Sequence, residues 1–218
     1  MPAPVLELMV VIDVICPWCY VGKRRLEKAL ALLESDTLLR VSWLPFELNP
    51  DMPKEGIERR EYRIRKFGSW ERSLQLDAQL AEVGVKEGLT FRYDLQTRTP
   101  NTFNAHRLIR TAGDGVAQTD LVEALFRAYF TQGRDIGNPE TLADIAAECG
   151  MNRAAALAFL GTDELAELVR QYEDAAHQAG ITGVPAFIAN RRPVLVGAHP
   201  PEAIAAALKD AMSLAPAN

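Results

Sequence analysis

Residues 5–19 read VLELMVVIDVICPWC and decide the fold. The stretch Val5–Ile15 is dense in β-branched and apolar side chains, which predicts a central strand covered on both faces. Proline directly after a candidate N-cap is favoured at the first position of a helix, so Pro17 predicts a helix that starts beside Cys16. The cysteines Cys16 and Cys19 are therefore expected at the turn from this strand into a helix.

Beyond that helix, the pattern predicts a second strand and then a long helical block. The strand fits Leu38–Phe46, where apolar side chains alternate with polar or smaller ones. No strand pattern of comparable strength appears between about residues 50 and 180. Helices are predicted for Arg59–Glu82, Ala105–Ala112, Leu121–Ala128, Leu142–Cys149 and Leu165–Tyr172. The fourth of these is predicted to open at Asn138-Pro139 and close at Gly150, and the fifth to open at Thr162 and close at Gly180.

Strand patterns return near the end of the chain. Ala186–Ala189 and Pro193–Val196 are short apolar runs separated by a polar turn, which predicts a hairpin, and a last helix is predicted over Pro200–Met212. We therefore expect an α/β fold. We expect residues 1–55 and 180–218 to form one discontinuous domain and residues 56–179 to form an all-helical insertion domain.

Composition and charge exclude several classes of protein. The chain has 218 residues, of which 48% are hydrophobic and 24% charged, as in ordinary globular proteins. Its net charge of −5 argues against nucleic-acid binding and against a basic membrane-binding surface. Residues 1–15 carry Glu7 and Asp13 and no lysine or arginine, unlike a secretory signal, so we expect a cytoplasmic location.

The spacing of Cys16 and Cys19 suits reversible disulfide chemistry. Residues i and i+3 of a helix lie about 5–6 Å apart, within the range of Cα separations that a disulfide spans. A helix N-terminus favours a thiolate, and in such motifs the cysteine pKa falls to about 3.5–7.5. Zinc is a weaker interpretation, because a structural site needs four ligands and no second short-spaced pair is present. Two incidental cysteines are the remaining alternative, and Cys149 is expected to pack as a small core residue.

Four stretches of the sequence resemble the DsbA-like thioredoxin family, in particular its FrnE branch. The resemblance covers about residues 8 to 198 and implies a thioredoxin-like fold with a helical insertion. Its relatives include 2-hydroxychromene-2-carboxylate isomerase and the kappa-class glutathione transferases. The four stretches are ICPWCYVGKRRLEKAL (15–30), WLPFELNPDMP (43–53), NTFNAHRLI (101–109) and GITGVPAFI (180–188).

The resemblance also implies roles for individual residues at the cysteine motif. Cys16 matches the nucleophilic cysteine of the family, and Cys19 matches the resolving one. Pro17 and Trp18 are the intervening pair that tunes the couple.

A second part of the site is implied near residue 185. Pro185 matches the proline that is cis in thioredoxin folds and faces the active disulfide. Val184 would offer backbone hydrogen bonds to an extended peptide or to glutathione. The isomerase and transferase relatives usually carry serine where this chain has Cys16, and this departure favours dithiol redox chemistry.

Two further residues have a functional and a structural interpretation. The carboxylate of Asp13 would accept or relay a proton from Cys19, or it would face solvent or cap the next turn. The imidazole of His106 would line the cleft that faces Cys16 and stabilise a thiolate, or it would be an ordinary surface or packing histidine.

These observations predict a thiol–disulfide oxidoreductase that acts on protein or small-molecule thiols and disulfides. No metal or organic cofactor is expected, and glutathione is a candidate co-substrate. The first alternative is a glutathione-dependent isomerase or transferase, and the second is a non-catalytic peptide-binding chaperone module. The relatives suggest a homodimer, and no patch in the sequence demonstrates one.

Overall fold

A computed structural model describes residues 5–33 and 38–214 and contains a four-stranded mixed sheet. Its strands, together with those of a small second sheet, are β1 (Val5–Ile12), β2 (Leu38–Pro45), β3 (Ile57–Glu58), β4 (Arg98–Thr99), β5 (Ala186–Ala189) and β6 (Arg192–Val196). The large sheet has the order β2-β1-β5-β6, with β1 parallel to β2 and antiparallel to β5. The predicted strands are confirmed with shifted ends, and the hairpin turns at Asn190 and Arg191, which both have positive φ.

The helices of the described ranges precede, separate and follow these strands along the chain. They are α1 (Pro17–Leu30), α2 (Arg59–Phe67), α3 (Trp70–Lys86), α4 (Phe103–Thr111), α5 (Val116–Gln132), α6 (Pro139–Glu148), α7 (Arg153–Leu160), α8 (Ala166–Gln178) and α9 (Pro201–Ser213).

Two helix predictions need correction. The predicted helical stretch Arg59–Glu82 is two helices, because Gly68 takes a φ of 90° and ends α2 before α3 begins. The helix expected to open at Thr162 instead begins at Ala166, after Leu165 in a left-handed conformation. Helix α7 was not predicted, since its alanine-rich sequence RAAALAFL gives little contrast between an apolar and a polar face.

The predicted all-helical insertion also contains a short antiparallel ladder. Ile57 pairs with Thr99, and Glu58 pairs with Arg98, so strands β3 and β4 join the start of α2 to the segment before α4. A pairing of two residues is too short to produce an alternating pattern, which explains why the sequence did not indicate it.

Strand β1 is buried on both faces apart from Glu7 and the half-buried Met9, largely as its composition predicts. Leu8, Val10 and Ile12 belong to the main hydrophobic core, and Val11 belongs to a smaller cluster on the opposite face. Ala176 of α8 is part of the smaller cluster, so α8 covers this second face of the sheet.

The sheet topology brings the cysteine motif next to the segment before β5. Val11 of β1 pairs with Ala186 of β5, so the end of β1 adjoins the start of β5. The chain turns after β1, where the Cys16 amide donates to the carbonyl of Asp13 at 3.0 Å, and enters α1 with Cys16 as N-cap and Pro17 as the first helical residue. The predicted position of the motif at a strand-to-helix turn is confirmed.

Candidate active site

Cys16 and Cys19 lie against each other at the start of α1. The two residues approach to 3.4 Å, and the amide of Cys19 donates to the carbonyl of Cys16 at 3.0 Å. Both cysteines are in the free thiol form; Cys16 is 5% exposed and Cys19 is 0% exposed. A substrate therefore reaches Cys16 first.

The environment of Cys19 keeps its thiol protonated. Burial raises the pKa of Cys19 well above its usual value, and the neighbouring Cys16 side chain and its charge raise it further. A hydrogen bond from the backbone of Asp13 opposes this rise without cancelling it. Because the thiolate is the nucleophile in disulfide exchange, Cys19 is placed to react second.

The segment before β5 faces Cys16. The Val184–Pro185 peptide bond is cis, as the family resemblance implies. The Sγ of Cys16 lies 3.7 Å from the carbonyl oxygen of Val184, within hydrogen-bond range for a thiol donor. Gly22 of α1 permits this approach, because a Cβ at that position would lie 2.7 Å from Cγ of Pro185.

A cavity of about 630 Å³ opens beside Cys16, a volume typical of small-molecule sites. Pro17 and the 44%-exposed Trp18 contribute to its wall, as does Val184. The remaining wall comes from elsewhere in the chain: Ile15, Leu48, Arg59, Tyr62, Arg63, Lys66, Phe67, Leu76, Asp77, Gln79, Leu80, Val83, Tyr93, Gln96, Thr99, Tyr129, Phe130 and Gly183. The cavity therefore joins the cysteine motif to helices α2 and α3.

Asp13 is fully buried between β1 and the motif. Its Oδ2 accepts a hydrogen bond from the amide of Leu48 at 2.7 Å, and its Oδ1 accepts one from the amide of Ile15 at 3.3 Å. The alternative expectation that Asp13 faces solvent is therefore wrong. The bond to Ile15 stabilises the turn into the motif, and the bond to Leu48 ties that turn to the segment after β2.

His106 lies beside Asp13 and is absent from the cavity wall that contains Cys16, so the expectation that it lines this cleft is wrong. The imidazole of this α4 residue is 1% exposed, so it is no surface histidine either. Its Nε2 is 3.5 Å from Oδ1 of Asp13, within ion-pair range but without hydrogen-bond geometry. Burial lowers the pKa of His106, but the Asp13 carboxylate and, more weakly, Glu47 and Glu173 outweigh burial, and the net pKa is raised.

Two partly buried acidic residues that the sequence did not single out also act on His106. Burial raises the pKa of Glu47 to about 7 against the opposing charge of His106, and burial also raises the pKa of Glu173. Oε1 of Glu173 accepts a hydrogen bond from the amide of Glu47 at 2.9 Å, and both side chains line a second cavity of about 530 Å³. The two residues are 126 positions apart, so no local pattern indicates the pair.

Comparison with known proteins gives the family. The profile of the DSBA-like thioredoxin domain matches residues 7–209. The chain belongs to the DsbA-like thioredoxin family. The crystal structure of a probable DsbA oxidoreductase from Streptomyces coelicolor superposes on this chain with a TM-score of 0.87. The two sequences are 31% identical, and the alignment covers 98% of this chain and 92% of that protein.

More distant structures share the fold. A 2-hydroxychromene-2-carboxylate isomerase is 18% identical over 88% of this chain and 89% of its own, with a TM-score of 0.63. The cytosolic disulfide reductase DsbM from Pseudomonas aeruginosa, solved with GSH, is 20% identical over 86% of this chain and 87% of its own, with a TM-score of 0.58. The predicted thioredoxin-like fold with a helical insertion is confirmed.

The described residues contain no group of three or more histidine, cysteine, aspartate or glutamate residues that could hold a metal ion. Across residues 5–33 and 38–214, no helix is both long and apolar enough to cross a membrane. Cys149 is partly exposed at the C-cap of α6, where its Sγ lies 3.9 Å from the carbonyl oxygen of Asp120.

Proposed function

We propose that this protein is a thiol–disulfide oxidoreductase in which Cys16 is the nucleophile and Cys19 resolves the mixed disulfide. The observation that carries the proposal is the pair itself. A slightly exposed cysteine at a helix N-cap lies 3.4 Å from a fully buried one and opens onto a cavity. Membership of the DsbA-like family supports the same chemistry.

The reaction proceeds by two exchanges. The Cys16 thiolate attacks one sulfur of a substrate disulfide; a bond forms between the two sulfurs, and the other substrate sulfur leaves as a thiolate. Cys19 then loses its proton and attacks Sγ of Cys16, which forms the Cys16–Cys19 disulfide and releases the second substrate thiolate. The substrate gains two electrons and the cysteine pair loses two. Oxidation of a substrate dithiol is the reverse sequence.

Neighbouring residues have supporting roles in this proposal. The backbone and the charge of Asp13 both affect the pKa of Cys19, and Asp13 accepts or relays the proton that Cys19 loses. Pro17 and Trp18 tune the couple, and Val184 and Pro185 bind the substrate beside Cys16. His106 acts only through Asp13, as a positioning residue.

The proposal places the reaction in the cytoplasm, with glutathione as a candidate co-substrate and no resident cofactor. A single close cysteine pair in a chain with one further cysteine fits a reducing compartment. The fold-level likeness to a cytosolic reductase solved with GSH supports both points.

The domain division also stays a proposal: residues 1–55 and 180–218 form one domain and residues 56–179 form the insertion. Helix α8 belongs to the insertion by this division, yet it packs on the sheet of the other domain.

A glutathione-dependent isomerase or transferase is the second candidate function. A cavity of small-molecule size beside Cys16 and the shared fold of 2-hydroxychromene-2-carboxylate isomerase favour it. That chemistry needs no resolving thiol, so it predicts activity without Cys19. The buried contact between Cys19 and Cys16 favours the redox reaction.

Single cysteine variants separate these two functions. With hydroxyethyl disulfide as substrate, we expect Cys19→Ser to accumulate a mixed disulfide on Cys16, visible by intact-mass measurement, and Cys16→Ser to form none there. Cys149→Ser serves as the matched control and should behave as the unmodified chain. Full exchange activity in Cys16→Ser would overturn the proposal.

A further inference from the structure

The cavity beside Cys16 contains a buried ionic cluster that the exchange reaction does not use. Nη2 of Arg59 lies 2.6 Å from Oδ2 of Asp77, and Nη2 of Arg63 lies 2.5 Å from Oδ1 of the same carboxylate. The exposed fractions of the three side chains are 6% for Arg59, 17% for Arg63 and 8% for Asp77. Helices α2 and α3 thus hold two guanidinium groups against one carboxylate on the cavity wall.

This cluster leaves an excess of one positive charge in a largely apolar environment. Burial lowers the pKa of Arg63, and the charge of Arg59 adds to this effect against the attraction of Asp77. A buried charge without a counterion is costly, so an anion that entered the cavity would be stabilised there. A guanidinium group binds carboxylates with charge-assisted hydrogen bonds.

An unsatisfied hydroxyl lies in the same wall. Oη of Tyr93 is buried and has no hydrogen-bond partner within the described part of the chain. Burial raises the pKa of Tyr93, so the hydroxyl keeps its proton and is available as a donor. The Arg59 guanidinium lies 5.5 Å from the centre of the Tyr93 ring, so the ring that carries this hydroxyl packs against the cationic group.

Lys66 and several polar side chains also line the cavity, but most of the remaining wall is apolar. The side chains that give it this character are Ile15, Leu48, Phe67, Leu76, Leu80, Val83 and Phe130. Such a wall fits an aromatic or aliphatic body, and a volume of about 630 Å³ accommodates a small molecule rather than a folded protein. Cys16 is 5% exposed and lines this cavity, so a disulfide bound in the cavity lies beside its sulfur.

From this juxtaposition we propose that the cavity binds small disulfides or thiols that carry a carboxylate, with the carboxylate on Arg59, Arg63 and Tyr93 and the sulfur at Cys16. The inference rests on the proposed exchange reaction and names its substrate class. The Cys16 thiolate attacks the bound disulfide, one acidic thiolate leaves, and Cys19 displaces the second, so two electrons pass from the cysteine pair to the substrate.

The test compares two chromogenic disulfides in single turnover. Dithiobis(nitrobenzoate) carries carboxylates, and dithiodipyridine is a smaller, uncharged aromatic disulfide. The reduced chain in a Cys149→Ser background is mixed with each, and the ratio of the two rate constants is compared with the same ratio for a free small thiol. We expect Arg63→Met to lower the ratio about ten- to hundredfold, the loss of one charge-assisted contact.

Matched variants show that the effect belongs to the cavity. Arg63→Lys keeps a positive charge and should retain most of the preference for the anionic disulfide. Arg65→Met removes an arginine of the same helix that is 65% exposed and outside the cavity wall, so its ratio should stay within about twofold of the unmodified chain. Equal rate losses with both disulfides in Arg63→Met, or no loss with either, would overturn the inference.

A measurement on the unmodified chain covers the case in which Arg63→Met does not fold. Benzoate should slow the reaction of Cys16 with dithiodipyridine, whereas uncharged benzyl alcohol should not; equal effects of the two would overturn the inference. Glutathione disulfide is a third substrate and shows which kind of carboxylate-bearing disulfide the cavity binds. If Arg63→Met slows its reaction, the cavity recognises the carboxylates of glutathione. If Arg63→Met leaves that rate unchanged, the cavity is specific for disulfides in which the carboxylate is attached to an apolar body. If the chain reacts with every disulfide no faster than Cys16→Ser, the proposed function fails rather than the substrate class.

Discussion

Replacement of Asp13 and His106 in a double-mutant cycle gives a prediction with a calculable magnitude. The two side chains are 3.5 Å apart and almost fully buried. At an effective dielectric constant of about 20, two unit charges at this distance attract by roughly 5 kcal/mol. Since Nε2 lacks hydrogen-bond geometry, we expect a coupling free energy of about 2–4 kcal/mol between Asp13→Asn and His106→Gln at pH 6.

The coupling should depend on pH in one direction. The pKa of His106 is raised in the folded chain against an unfolded value of about 6.5. Charged His106 therefore contributes stability that is fully present below about pH 6.5 and is lost as the pH rises through the raised folded pKa. The charges of Glu47 and Glu173, which also face His106, shift this range without reversing its sign.

Urea unfolding of the unmodified chain, the two single variants and the double variant at pH 6 and pH 9 measures this coupling. The exposed pair Glu61 and Arg65 provides a control cycle, for which a coupling below about 1 kcal/mol is expected. A coupling between Asp13 and His106 below about 1 kcal/mol at pH 6, or one that is equal at both pH values, would refute the reasoning.

Three further predictions concern single positions. Glu47→Gln should stabilise the chain by about 2 kcal/mol at pH 8 and much less at pH 5, because the pKa of Glu47 is raised from 4.5 to about 7 and the resulting cost in stability grows between these two pH values. Urea unfolding checks this, with exposed Glu82→Gln as control. Gly22→Ala should slow exchange and lower the free energy of unfolding by about 1–3 kcal/mol, because its Cβ would displace Pro185; equal rates and stability would contradict the close packing. Cys149→Ser should leave the exchange rate and the potential of the cysteine pair unchanged, as measured by thiol alkylation, and a shifted potential would show that Cys149 takes part.

The sequence predicts the sheet and the cysteine motif because their signals are local. The apolar stretch before Cys16 shows a strand buried on both faces, and Pro17 shows the helix start. The cis bond before Pro185 was implied only by the family resemblance, since proline alone does not determine it.

The rest of the site depends on contacts between distant parts of the chain. The position of His106 follows from how α4 packs beside β2, and its own helix gives no sign that Asp13 is its neighbour. Arg59 and Arg63 are four residues apart on one helix, a spacing visible in the sequence, but their shared carboxylate Asp77 comes from the next helix.

A redox titration of the Cys16–Cys19 couple tests the proposed chemistry most directly. The purified chain is equilibrated in glutathione buffers of different poise, free thiols are trapped with an alkylating mass tag, and the oxidised fraction of the pair is measured by mass. We predict one reversible two-electron transition, in which a tenfold change in the equilibrium ratio corresponds to about 30 mV. If no disulfide forms between Cys16 and Cys19 at any poise, the oxidoreductase mechanism is wrong.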